Sequence, residues 1–404
     1  MTLFYVVACI FLVAGLVLYF YSKKIAAVEM IVGGASAFAA AGLFHLIAYA
    51  STTSDTETWS GQVIEAVYRP RWVEEYTYLQ SHYNSKGEFT HTTVETAQRT
   101  HPNWWYVEDT IPQTIDITRE KYNELVEQFR KHGSSVQKVR GSRGGIVSGD
   151  RFDYHCGTPS DFMVPTTCLK SFENRIKAGP TAFSFEKIDP KDKGIPDYPP
   201  NQSKFRSNRL VESAFDDVSL LEWDRMNARL GPTKLVNVIL CGFRAETSPE
   251  IAQKIKAKWI GGKKNDVVLC YGGRGTDGKA TWSECFGWTK SEFCKANLKT
   301  ILLDNPIDNS IIPKIEDEIR QNYELRDWSE FSYISIEPPT WTYVVFFIFI
   351  LGMQVGLYIC FFRNEEDKEE LLAGYQRSVD EARRGRGFSP PSRAMFKMAR
   401  SYRN

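Results

Sequence analysis

Three uninterrupted apolar stretches limit what this chain can fold into. Residues 2–22 (TLFYVVACIFLVAGLVLYFYS) carry no charge, residues 25–50 carry only Glu29, and residues 341–362 (WTYVVFFIFILGMQVGLYICFF) carry none. Each reaches the roughly 20 apolar residues that a helix needs to cross a bilayer. A cleaved signal peptide does not fit the first stretch, because Met1-Thr2-Leu3 is not a basic leader and a second hydrophobic segment follows at once.

Charge at the span ends predicts the orientation, since short loops rich in Lys and Arg stay in the cytoplasm. Ser22-Lys23-Lys24 separates the first two spans, and Arg363 follows the third, ahead of a tail with seven basic and no acidic residues from Ala382 onward. The N-terminus and residues 51–339 are therefore expected outside a bacterial inner membrane, with the Lys23-Lys24 turn and the tail inside. Membrane lipid is one expected partner. Gly33, Ala37 and Ala41, and the Gly352-x-x-x-Gly356 pair, place small residues at helical spacing, which lets helices of one chain, of a second copy or of another membrane subunit approach closely. Glu29 and His45 are ionisable groups within a span and so functional candidates, although both lie near span ends, where snorkelling to the interface is the cheaper account.

Between the spans the sequence divides again. Residues 51–218 form a strand-rich region: from Trp59 to about Asp109 the sequence is rich in Tyr, Trp, Thr and Val broken by turn formers such as Asn84-Ser85-Lys86-Gly87, which reads as antiparallel strands. One helix is expected near residues 119–132, with Thr118 as its cap, Tyr122, Leu125, Val126 and Phe129 as its apolar stripe and Gly133 as its end. Residues 134–205, with Pro159, Pro165, Pro190 and Ile195-Pro-Asp-Tyr-Pro-Pro200, read as loops and short strands. From residue 219 to 339 helices and strands alternate. A helix from Ser219 to Gly231 precedes KLVNVILCGF (residues 234–243), a strand buried on both faces. Ser248-Pro249 opens a helix that stops near Gly261, and a second buried strand covers residues 266–271. A third strand, TWSECFGW, precedes a helix with Thr289 and Glu292 as capping box, and a last helix lies near residues 313–323. Strand, helix and strand in this order predict a parallel crossover.

Six cysteines lie outside the spans, an even number in a segment expected to meet an oxidising compartment. The candidate disulfide partners are Cys156 with Cys168 and Cys285 with Cys294, whereas Cys241 and Cys270 sit in apolar runs as core thiols. No C-x-x-C spacing suggests zinc.

The run VVLCYGGRGTDGKATW contains both G-x-G-x-x-G (Gly273, Gly275, Gly278) and G-x-x-x-x-G-K ending at Lys279. A P-loop needs a hydroxyl next and a helix to hold the phosphate, and the dinucleotide motif needs the same helix. Ala280 has no hydroxyl and TWSECF has strand character, so residues 272–279 are expected to connect two neighbouring strands, with Asp277-Gly278 as the turn. No nucleotide is expected.

KLVNVILCGF, WIGGKKNDVVLCYGG and DGKATWSECFGW together resemble the central part of TPM-type domains over residues 220–325. The whole layout resembles uncharacterised membrane proteins of bacteria and tailed phages. The resemblance implies an α/β extracytoplasmic domain, with a TPM-like α/β/α core and a strand-rich N-terminal part, tethered by three transmembrane helices. It implies a role in phosphatase activity, membrane-complex repair or receptor assembly, and it places Asn265, Asp266 and Asp277 near a metal or phosphate pocket; no cofactor is expected unless that pocket holds a divalent cation. The chain departs from the pattern in its long upstream insertions and in lacking a second acidic cluster.

Other groupings have plainer readings. His155 and Cys156 are adjacent, but neighbours on an extended chain point to opposite faces. Asn103-Trp104-Trp105-Tyr106 suits a core, and Lys263 and Lys264 compensate a helix C-terminus. The tail runs from acidic to basic as a helix over residues 364–384 and then as a basic stretch suited to anionic lipid; nucleic acid is not expected. The reading is a membrane-anchored binding or assembly module. Its rivals are a metal-dependent phosphohydrolase and an oligomeric channel-like subunit.

Overall fold

The computed structural model describes residues 2–22, 27–179, 194–200, 204–275, 277–336 and 338–383. They form two compact units. The Lys23-Lys24 turn, Pro190 and the basic stretch from residue 385 lie outside the described residues.

The first unit contains α1 (Thr2–Ser22), α2 (Ala27–Thr53) and α10 (Thr340–Arg383). Thr2–Tyr21, Ala27–Thr53 and Thr340–Arg363 are long and apolar enough to cross a membrane, as in a multi-pass membrane protein. Phe4 and Ala8 of α1, Ala37, Ala40 and Ala41 of α2, and Phe346 and Ile350 of α10 form their common core. Gly33 lies on the same side of α2, where the Gln354 side chain donates to its carbonyl (3.0 Å) and to Ser36 Oγ (3.1 Å). Gly352 and Gly356 have another aspect: a Cβ added at either meets nothing within 4 Å, so this pair faces away from the bundle. The charged stretch after the third span forms one continuous helix with it, through Arg383.

The second unit begins with a sheet of order β5-β4-β1-β8-β6, in which β9 also pairs with β1. Its strands are β1 (Ser54–Arg69), β4 (Trp104–Asp109), β5 (Thr114–Asp116), β6 (Val136–Arg140), β8 (Phe152–Gly157) and β9 (Pro165–Glu173). One face is covered by α3 (Arg119–Lys131), whose first turn is capped by Thr118 Oγ1 accepting from the Lys121 N–H. Tyr122, Leu125, Val126 and Phe129 pack from α3 onto Val63, Ala66, Val107 and Cys156. A second sheet of order β3-β2-β7 consists of β2 (Trp72–Tyr83), β3 (Phe89–His101) and β7 (Ile146–Gly149), and most of the β2–β3 hairpin is exposed.

The third sheet has the order β10-β11-β12-β13: β10 (Leu210–Glu212), β11 (Asn237–Phe243) and β12 (Asp266–Arg274) are parallel, and β13 (Ala280–Gly287) returns antiparallel. On one face lie α6 (Leu220–Lys234), α8 (Glu292–Asp304) and α9 (Ile311–Asn322), buried through Trp223, Met226, Leu298, Leu302, Ile315 and Ile319. On the other lies α7 (Glu250–Lys258), buried through Ala252 and Ile255. Two single-turn helices, α4 (Arg175–Ala178) and α5 (Ala214–Asp217), precede α6 in the chain. All seven residues of β11 are buried, as a strand covered on both sides requires.

Three local expectations differ from this structure for identifiable reasons. The helix expected to stop at Gly231 continues to Lys234; Gly231 serves close packing instead, since a Cβ there would overlap the Ser60 backbone. The cap of α8 is Ser291, whose Oγ accepts from the Cys294 N–H, while the Thr289 hydroxyl donates to the Glu324 carbonyl. Gly272 and Gly273 belong to β12 rather than to a connecting loop: the Trp282 indole occupies the space a Cβ on Gly272 would need, and Gly273 takes a positive φ of 56°. A strand, β13, follows the glycine run where either nucleotide motif would need a helix.

Candidate binding groove

Because β13 ends the hairpin with β12 and pairs with no further strand, one edge of the third sheet is open among the described residues. Helices α7 and α8 lie on opposite faces of the sheet, and both contribute residues to a groove along β13. Residues four apart on a helix share a face, and here the facing residues are Ala252, Gln253, Lys256 and Ala257 on α7, and Glu292, Lys295, Ala296 and Lys299 on α8. The result is a groove of about 800 Å³ floored by residues 284–289 and bordered by Gly261 and Arg326. Gly261 lies against the Trp288 ring, 2.6 Å from an added Cβ, and the Trp288 indole N–H donates to the Gly262 carbonyl at 3.2 Å.

Cations outnumber anions in the lining. Lys295 Nζ contacts Glu292 at 2.6 Å and Lys299 Nζ contacts Glu284 at 3.1 Å. Lys256 makes no ion pair among the described residues. Arg326 reaches Glu330 at 3.6 Å, while its Nε is buried without a hydrogen-bond partner. Burial pushes the Cys285 thiol on the groove floor well above its usual range, so it stays protonated at neutral pH. The lining offers main-chain groups, small alanines and ammonium heads, which suit recognition of a ligand.

The residues implied by the TPM resemblance are placed apart. Asp266 opens β12 and is fully buried. Burial raises its carboxyl, and donation from Asn237 Nδ2 (2.8 Å), the Lys263 N–H (2.7 Å) and the Tyr198 hydroxyl (3.0 Å) draws it back. Asn265 is buried beside it, donating to the Thr58 carbonyl at 2.7 Å. Asp277 lies in the turn beyond the other end of β12, a strand of nine residues and hence about 26 Å long. It is exposed, and its Oδ1 accepts from the Lys279 N–H at 3.2 Å. Among the described residues no three His, Cys, Asp or Glu side chains are grouped to hold a metal ion.

The disulfides expected of Cys156, Cys168, Cys285 and Cys294 are not present; all eight cysteines are free thiols. Cys156 points into the core under α3, and Cys294 is buried with Leu298 and Leu302, its thiol pushed up by burial to about 12. Cys241 and Cys270 stand in register on β11 and β12, in the core beneath α7. His155 and Cys156 part as neighbours on a strand do: His155 turns to Glu65 at 3.1 Å while Cys156 is buried.

In comparisons with protein-family models, curated proteins and solved structures, nothing matches the chain. The class defined by fold and site is accordingly a mixed α/β protein with three membrane-length helices and a basic groove beside an open sheet edge. Sequence reasoning missed this groove. Ala252 with Lys256 and Lys295 with Lys299 are i, i+4 pairs visible in the sequence, but only the sheet order shows that they flank the same strand edge.

Proposed function

We propose that this chain is a membrane-anchored assembly module that uses the groove beside β13 to hold another protein of its membrane complex. The observation that carries this reading is the open edge of β13 recessed between α7 and α8. A metal-assisted hydrolase of TPM type would need Asp266 and Asp277 to converge, and they stand at opposite ends of β12. In the orientation favoured by the Lys and Arg distribution, residues 51–339 face the outside of a bacterial inner membrane and the groove meets its partner there.

Site-specific photo-crosslinking in native membranes tests the assignment. A photoreactive side chain at Gln253 or Lys256 is expected to yield one adduct of defined mass, absent from a control position at the exposed Leu221 and lost when Ala296→Trp fills the groove. Equal adducts from all positions, or none from the groove, would remove the assignment.

A further inference from the structure

We infer that the ligand of this groove is an extended, acidic segment of a partner protein, added to β13 as a fifth strand of the sheet. The inference rests on the groove being a partner site and names what that site takes.

The main chain is the first reason. A strand paired on one side turns every second N–H and C=O outward. Beyond the ladder to β12, no backbone hydrogen bond involves residues 284–287 among the described residues. Those groups face the groove, and an extended peptide is the ligand whose own main chain satisfies them at each step.

Shape is the second. The edge lies between two helices, which favours an occupant one strand thick. The same edge of a second copy carries α7 and α8 with it, so pairing two β13 edges would bring four helices together at one seam. A single extended segment fits this space, and Ala257 and Ala296 leave room for its side chains.

Charge is the third. Lys256, Lys295, Lys299 and Arg326 face Glu284 and Glu292, and both carboxylates are already engaged by lysines. Side chains of an added strand point alternately toward α7 and α8. Carboxylates on one face would meet Lys256, which has no ion pair among the described residues, and those on the other would share Lys295 and Lys299 with Glu292 and Glu284. The buried, unpartnered Arg326 Nε–H offers a further donor at the end of the groove.

Full-length protein in detergent, titrated with fluorescein-labelled peptides, tests this. The probes are an alternating Val-Glu decapeptide, the same peptide with Lys for Glu, and the acidic peptide N-methylated at alternate amides. The acidic peptide is expected to bind and to slow amide exchange of residues 284–287, with Lys256→Glu and Lys299→Glu together weakening binding about tenfold. Ala296→Trp, on the exposed face of α8, should abolish binding while leaving the melting temperature unchanged. Equal binding of the lysine peptide overturns the acidic preference, and equal binding of the N-methylated peptide overturns strand addition. Failure of every peptide to protect β13, with groove crosslinks in membranes intact, overturns this inference alone; loss of the crosslinks as well overturns the partner site itself.

Discussion

Arg209 and Asp224 form a buried ion pair, with Nη1 2.8 Å from Oδ1 and both side chains no more than 5% exposed. The same guanidinium donates to Asn237 Oδ1 at 2.6 Å and to Ser60 Oγ at 2.5 Å, and Asn237 donates in turn to Asp266. One arginine thus ties β1 of the strand-rich sheet to β11 and β12 of the α/β sheet. Removing one partner leaves the other charge buried and unpaired. Arg209→Met is expected to cost about 3–5 kcal/mol in denaturant unfolding. Replacing both Arg209 and Asp224 by apolar residues should recover much of that loss, and a double mutant no more stable than the single would contradict the pair's role.

Glu316 sets an acid limit on the packing of α9. Burial by itself would raise its carboxyl, but bidentate contact with Arg229 (2.6 and 2.9 Å) and a bond from Arg320 (2.6 Å) hold it below the ordinary range. A carboxylate whose folded value is depressed adds stability above its unfolded value of about 4.5, and that stability disappears as pH falls through the folded value. Melting temperatures measured from neutral pH down to about pH 3 should therefore fall more steeply in the parent protein than in Glu316→Gln.

Two glycines should respond oppositely to alanine. At Gly231 the added methyl overlaps the Ser60 backbone, which cannot swing aside, so a loss of about 1–3 kcal/mol or more is expected. At Gly352 nothing lies within 4 Å, and the thermal stability of the single chain should not change. Any shift from a larger to a smaller species in Gly352→Ala, read by crosslinking, would show that this face joins copies.

The thiols offer a direct chemical check. With Cys294 raised to about 12, its thiolate is scarce at neutral pH, and reagents should modify it only after unfolding. Alkylation in denaturant without reductant should modify Cys156, Cys168, Cys285 and Cys294 in full, and partial protection of either expected pair would reveal a disulfide.

Much of the fold was legible where local chemistry decides the outcome. Thr118 and the stripe from Tyr122 to Phe129 specify α3 on their own, because a cap and an apolar face are both properties of adjacent turns. Length and apolarity specify three membrane-length helices in the same way. Reading failed where one residue type has two uses. Gly231 has the appearance of a helix stop but is a contact point for Ser60, and Thr289 resembles a cap but bonds to Glu324, a residue 35 positions away.

The candidate site belongs almost wholly to the second category. Sequence by itself determined that the chain has three long apolar helices and that strand and helix alternate after residue 219, since hydropathy and periodicity are carried by neighbouring residues. Only the tertiary structure decided that β13 is the open edge, that lysines from α7 and α8 share one groove along it, and that Asp266 and Asp277 stand apart. Strand order and helix placement depend on burial and pairing between segments distant in the chain, and those energies have no local signature.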